Sequence, residues 1–216
     1  MNILRALYEL IYPPKCPFCG RVLEKWEDGL CALCGEALPR IGPEDVREVE
    51  GCDACLSPLW YRDGVVEAVR RYKFRGAAGH AGVLGGLMAE CLTERWREPA
   101  DLITWAPLSA KRLKERGYDQ AELLARRVGE LTGIPAGAAL EKTRQTGVQS
   151  RIADEEERRA NVAGVYRVRP DADVAGKRIV LVDDIVTSGA TLAECAARLR
   201  DAGAGSVAAL TLARAR

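Results

Sequence analysis

Two short stretches of this sequence carry reactive side chains at informative spacings. The first is IVLVDDIVTSGAT, residues 179–191. An apolar run there ends in two adjacent carboxylates, Asp183 and Asp184. A short turn of Thr187, Ser188, Gly189, Ala190 and Thr191 follows. A strand that feeds a helix through so tight a turn gathers free backbone N–H groups at the positive end of the helix dipole, which suits an anion. Gly189 permits close backbone approach, and the three hydroxyls can each donate. Phosphate would satisfy these donors together. Two carboxylates beside it would repel a polyphosphate, but they suit a sugar diol, with Mg²⁺ offsetting the charge. The bland alternative is a strand ending in Asp-Asp before an ordinary helix cap. A phosphate-accepting receiver domain would place its acidic pair after the first strand, not beside the last one.

The second stretch is rich in cysteine. Six of the eight cysteines form three Cys-x-x-Cys pairs, all within the first 55 residues. Cys16 and Cys19 make one knuckle and Cys31 and Cys34 another, joined by eleven residues. Each knuckle turns two thiolates to one side, so two of them build a tetrahedral S₄ site for a structural Zn²⁺. Redox-active Cys-x-x-Cys occurs singly and opens a helix after a strand. Cys52 and Cys55 lack a partner pair, so they are read as a half-site or as exchanging with one knuckle. Cys91 and Cys195 fall on apolar helix faces and read as core. His80, the single histidine, reads as a helix-start position.

A third stretch, residues 106–121, follows a short apolar strand and carries Lys111, Arg112, Lys114 and Arg116. Such a turn could hold pyrophosphate oxygens or a nucleic-acid backbone, while composition alone favours a solvated helix face.

The elements that must position these residues alternate. A short amphipathic helix is expected over residues 2–12 and ends at Pro13-Pro14. Helices are expected around Val65 to Tyr72 ending at Gly76, over 81–97, from Ala121 to Leu131, and from Leu192 to Leu199. Strands are expected at Leu102–Trp105, Ile179–Val182 and Val207–Leu212. Residues 141–161 lack apolar periodicity and read as a mobile loop or a solvated helix. The alternation implies a mostly parallel sheet flanked by helices.

Composition adds bounds. The 216 residues allow one α/β core with a compact appendage. A formal net charge of +1 leaves any nucleic-acid contact to local basic patches. No apolar run reaches the roughly 18–20 residues that cross a bilayer, and no secretory segment is evident, so membrane insertion is not expected and the chain reads as cytoplasmic.

At residues 179–191 the sequence resembles the type I phosphoribosyltransferases, whose fingerprint is four apolar residues, two acidic residues and a Thr-x-Gly-x-Thr loop. The resemblance implies that Asp183 and Asp184 meet the ribose 2- and 3-hydroxyls of phosphoribosyl pyrophosphate. Thr187–Thr191 would then hold its 5-phosphate. Across nearly the whole chain the sequence resembles the ComF family of competence-related proteins. Its Lys-Phe/Tyr-x-Gly motif is matched by Lys73, Phe74 and Gly76. A Pro-Leu followed by an Arg and then by Arg-Gly-Phe-Asn-Gln is matched by Pro107, Leu108, Arg112, Arg116, Gly117 and Gln120, with Tyr118 and Asp119 departing from Phe-Asn. Thr146, Gln149, Arg158 (or Arg159), Asn161 and Val162 match two further motifs.

The resemblance implies a type I phosphoribosyltransferase fold over residues 58–216 behind a helix and zinc ribbon over residues 1–57. It puts Pro107, Leu108, Arg112, Arg116 and Gln120 on the pyrophosphate side, with Mg²⁺ accompanying the ligand. Residues 141–161 would correspond to a flexible loop closing over the pyrophosphate. Three functions follow. One is pentosyl transfer from phosphoribosyl pyrophosphate to a nitrogen nucleophile, as in nucleotide salvage. Another is a DNA-uptake role with single-stranded DNA and a DNA-uptake helicase as partners. The third is a nucleotide-metabolite sensor without turnover. Fold identity cannot choose among them.

Overall fold

The computed structural model describes residues 13–74, 77–144 and 162–216. The helix expected over residues 2–12 lies outside the described residues, as do Gly76, Thr146, Gln149, Arg158, Arg159 and Asn161. In chain order the first elements are α1 (Ala32–Ala37), β1 (Ala54–Leu56), β2 (Leu59–Trp60), α2 (Gly64–Phe74), α3 (Ala81–Arg95) and β3 (Leu102–Trp105). Then come α4 (Ala110–Arg116), α5 (Gln120–Thr132), β4 (Leu140–Lys142), β5 (Tyr166–Val168), β6 (Arg178–Val186), α6 (Ala190–Asp201) and β7 (Ser206–Arg214).

Five strands form one parallel sheet in the order β1-β7-β6-β3, with β2 also lying against β7. β6 and β7 are nine residues long and aliphatic on both faces, because helices or a ribbon cover both sides of the sheet. Period-two alternation divides their side chains between two cores. Val180, Val182, Leu210 and Leu212 pack with Tyr72, Leu84, Met88, Leu124 and Val128, under α2, α3 and α5. Ile179, Leu181, Val207 and Ala209 pack with Leu192, Cys195 and Leu199 of α6 and with Leu140 and Tyr166. The last two residues belong to an antiparallel ribbon in which β4 pairs β5. Cys91 and Cys195 are buried, one in each core, as their helix faces suggested.

Three differences from the sequence reading have physical causes. β6 runs past Val182 to Val186, because Asp183, Ile185 and Val186 keep their register with Thr211, Ala213 and Arg214 of β7. The acidic pair therefore sits on the strand itself. Glu141 and Lys142 are strand rather than loop, since cross-strand pairing with Tyr166 and Arg167 replaces the missing apolar periodicity. β1 falls within the cysteine-rich stretch yet pairs with β7 in the main sheet, and buried Cys55 lies on it. No helix among the described residues is long and apolar enough to cross a membrane.

Candidate functional site

The carboxyl end of β6 meets α6 through a turn that only a few residues shape. Gly189 has φ +83 and occupies the N-cap position of α6. That left-handed backbone favours glycine, and a Cβ there would also stand 3.2 Å from Val49 Cγ2. Gly189 O accepts from Ala193 N at 2.8 Å, which starts the helix ladder. Ser188 Oγ accepts from Ala190 N at the long distance of 3.5 Å. An open hollow of about 210 Å³ lies over this turn. Asp183, Thr187, Ser188, Gly189, Ala190 and Thr191 all line it.

Asp184 does not line that hollow, and strand alternation explains why. Asp183 follows Ile179 and Leu181 to the face of α6 and the β4–β5 ribbon. Asp184 follows Val180 and Val182 to the face of α2. There its Oδ2 meets Lys73 Nζ at 2.8 Å, with both side chains largely shielded from solvent. Asp183 Oδ1 accepts from the backbone N of Asp184 at 2.8 Å. Partial burial, and next the Asp184 charge, push the Asp183 carboxyl up to about 7. Lys73 belongs to the Lys-Phe-x-Gly motif, but nothing in its spacing tells that its ammonium crosses to β6.

β3 lies beside β6, so the turn after Trp105 flanks the acidic pair. Pro107 and Leu108 form that turn, and Leu108 N donates to Asp119 Oδ2 at 2.7 Å. Asp119 Oδ1 accepts from Ala121 N and Glu122 N at 3.0 and 3.3 Å, capping α5. This settles the departure from Asn at that position. An amide could keep the bonds to its oxygen but could not also accept from Leu108 N. Gln120 is buried rather than open to a ligand. Its Oε1 accepts from Arg116 Nη1 at 2.6 Å, so it steers the guanidinium. Arg116 also lies over the Phe74 ring, 4.9 Å from its centroid. Burial lowers the Arg116 pKa, and the nearby Asp184 charge opposes that shift. Arg112 is half-buried in the first turn of α4, where Ser109 Oγ accepts from its backbone N at 3.4 Å.

On the opposite face Lys142 Nζ donates to Tyr166 Oη at 3.1 Å and sits 4.9 Å from that ring's centroid. Burial first, and then the Arg112 charge, bring this ammonium down to about 8, so Arg112, Lys142 and Asp183 share one electrostatic neighbourhood. Sequence reasoning passed over Lys142 because it lay in a stretch read as loop.

Cys16, Cys19, Cys31 and Cys34 converge, their four sulfurs all within 4.8 Å of one another. Cys19 and Cys31 Sγ atoms are 3.7 Å apart, against an edge of about 3.8 Å for a tetrahedron with Zn–S bonds of about 2.3 Å. Cys31 caps α1 by accepting from Cys34 N at 3.4 Å, and this N–H draws its thiol down to about 6. The cluster can therefore coordinate a metal ion. Cys52 and Cys55 are not part of it. They lie against the α6 core, where burial pushes their thiols up to about 12 and about 11. His80 closes a short 3-10 turn at the head of α3, the helix-start position its sequence suggested.

A parallel sheet covered on both faces, with an acidic pair at the end of its central strand, is the frame of a phosphoribosyltransferase-type domain. Residues 113–216 match the family model described as phosphoribosyl transferase domain. The chain is homologous to the ComF family of competence proteins. It is 28% identical to competence protein ComFC of Bacillus subtilis, over 97% of this chain and 88% of that one. It is 26% identical to competence protein F of Haemophilus influenzae, over 93% and 97%. It is 27% identical to the DNA utilization protein YhgH of Escherichia coli K12, over 95% and 99%. A solved allosteric regulatory enzyme of purine biosynthesis aligns at 28% identity and a TM-score of 0.41, covering 63% of this chain, which spans a quarter of that one.

Proposed function

We propose that the chain binds phosphoribosyl pyrophosphate, or a related phosphosugar, with Mg²⁺ at the carboxyl end of β6, and that this binding serves the handling of incoming DNA. The observation that carries the reading is the open hollow over Thr187–Thr191 with Asp183 on its wall. Backbone N–H groups at the start of a twelve-residue helix favour a phosphate there. Asp183 and Asp184 offer acceptors to the ribose hydroxyls, and bound Mg²⁺ would supply charge compensation beside them. Arg112, Arg116 and Lys142 make the surroundings positive enough for a diphosphate. Pro107 and Leu108 shape the turn that would approach it, and Gln120 acts through Arg116. The four-cysteine cluster fits a structural Zn²⁺.

The names of the relatives support the DNA side of the reading, with single-stranded DNA and a DNA-translocating helicase as the partners to test. Calorimetry with ribose 5-phosphate and Mg²⁺ tests the pocket. Asp183→Asn with Asp184→Asn should weaken binding at least about tenfold, since hydrogen bonds to charged groups contribute roughly 1.5–3 kcal/mol. Zinc content should stay unchanged. Equal affinity in the double variant would overturn the site. The same ligand with a pyrophosphate at C1 allows turnover to be read directly as released pyrophosphate. Failure to retain a single-stranded oligonucleotide at physiological salt would remove direct DNA contact.

A further inference from the structure

The segment that leads from the cysteine knuckles into β1 crosses behind the turn between β6 and α6, and residues 47–53 of it are tied down at both ends. Arg47 Nη1 donates to Ala215 O at 3.1 Å, and Ala215 N donates in turn to Val186 O at 2.9 Å. Val186 is the residue just before Thr187. At the other end both Asp53 carboxylate oxygens accept from Arg200 Nη2, at 2.7 and 2.6 Å. Asp53 also exchanges bonds with Val207, its Oδ2 accepting from Val207 N and its own N donating to Val207 O, each at 2.8 Å. This anchor joins the segment to α6 and β7 together. Between the two ties Cys52 N donates to Val49 O at 3.0 Å, closing a turn. Gly51 has φ +78 there, and a Cβ on it would stand 3.3 Å from Ala196 Cβ, so glycine lets the strap lie flat on α6.

The side chain that this strap delivers to the turn is Val49. It is buried in one core with Val186, Leu192 and Cys195, and its γ carbons stand 3.2 and 3.4 Å from the place of a Gly189 Cβ. The hollow is walled by Asp183 and residues 185–192, so Val49 touches the turn from a side that a ligand would not. Such outside support has work to do, because glycine is the most permissive residue in the chain and loses the most freedom when its φ is fixed. Inside the turn the bond from Ala190 N to Ser188 Oγ is long, at 3.5 Å. We infer that Val49 and Arg47 are positioning residues, through which the strap holds the N–H groups of residues 188–191 ready for an anion. Ordering the turn before the ligand arrives removes a cost from binding. The ligand's identity rests on the function proposed above, whereas the ordering of the turn by the strap does not.

Val49→Ala removes the contact, and Val174→Ala makes the same truncation in the same core, four residues before β6 begins. Without ligand, the ¹⁵N order parameters of residues 188–191 should stay near the ~0.85 of rigid backbone in the wild type and in Val174→Ala. In Val49→Ala they should fall toward the ~0.6 of mobile backbone. Val49→Ile, which keeps both γ carbons, should restore them. Arg47→Ala cuts the tie to Ala215 at a partly exposed position, and it should loosen the same residues even if Val49→Ala does not fold. Calorimetry with ribose 5-phosphate and Mg²⁺ should show about tenfold weaker binding to Val49→Ala, the effect of one well-aligned bond to a charged group, and wild-type binding to Val174→Ala. Order parameters equal to those of the wild type in both Val49→Ala and Arg47→Ala would overturn the inference. So would a looser turn with undiminished affinity, or Val174→Ala acting as strongly as Val49→Ala, since general loss of stability would then explain the effect. If the turn loosens as expected but the wild type does not bind ribose 5-phosphate, the strap stands and the phosphosugar reading falls.

Discussion

Alternation along β6 gives two adjacent carboxylates different partners, and for Asp183 the surroundings change its proton chemistry. Asp184 holds an ammonium 2.8 Å away, whereas Asp183 faces α6 and the β4–β5 ribbon with the Asp184 charge beside it. The Asp183 carboxyl is raised to about 7 in the folded chain, from a value of about 4 when unfolded. A raised carboxyl means that the folded state keeps a proton the unfolded state has lost. The associated stability is full below about pH 4 and disappears as pH rises through about 7. Asp183→Asn removes this dependence, and its amide oxygen can still accept from Asp184 N. The variant should therefore melt several degrees above the wild type at pH 8, a gain on the order of 1–4 kcal/mol. Near pH 4 the two should melt together. A melting difference that is the same at both values would show that Asp183 does not titrate in this window. Such a gain in stability at a proposed binding position would match the usual conflict between stability and activity.

At the scale of elements, α5 shows how one side chain can organise two segments. Asp119 caps the helix with one oxygen and ties the Pro107–Leu108 turn with the other. Asp119→Ala should cost about 2–3 kcal/mol, combining a lost cap of about 1 kcal/mol with an orphaned backbone donor of similar size. Thermal melts should show a loss of several degrees, and Asp119→Asn should fall between the variant and the wild type. An Asn variant as stable as the wild type would mean that the Leu108 contact contributes nothing. Helices α2, α3, α5 and α6, strands β3, β6 and β7, and the glycine turn were legible because apolar period and cap chemistry are local. The four-cysteine cluster was legible because Cys-x-x-Cys fixes its geometry within four residues. Lys73, Lys142 and Asp119 were not legible in their roles. Each acts on a partner in another element, Asp184, Tyr166 or the Leu108 amide, which only the folded chain brings near. β1, β2 and the β4–β5 ribbon escaped for a related reason, being two or three residues long and defined by pairing alone.

At the scale of the whole molecule, the cysteine cluster and the acidic site are joined through α2. Arg71 Nη1 donates to Pro17 O and Phe18 O of the first knuckle, at 2.9 and 2.7 Å. Cys16, Phe18, Leu23 and Cys31 share one apolar core with Val65, Ala68, Val69 and Tyr72 of the helix. The next residues of that helix are Lys73 and Phe74, which reach Asp184 and Arg116. A metal that fixes the knuckles therefore also fixes the base of α2, because the carbonyls Arg71 holds lie between Cys16 and Cys19. A zinc titration should load one equivalent on the wild-type chain; Cys31→Ser should abolish that uptake, whereas Cys52→Ser should leave it in place, since Cys52 lies against the α6 core. Loss of the metal should speed hydrogen exchange across Gly64–Phe74 while β6 and β7, buried between two covered faces, keep their protection. Arg71→Ala should give the same local loosening with zinc retained, each lost charged hydrogen bond contributing roughly 1.5–3 kcal/mol. Unchanged protection of α2 in the metal-free chain would show that the cluster stabilises only its own knuckles, and the mechanical link to Asp184 would then be absent.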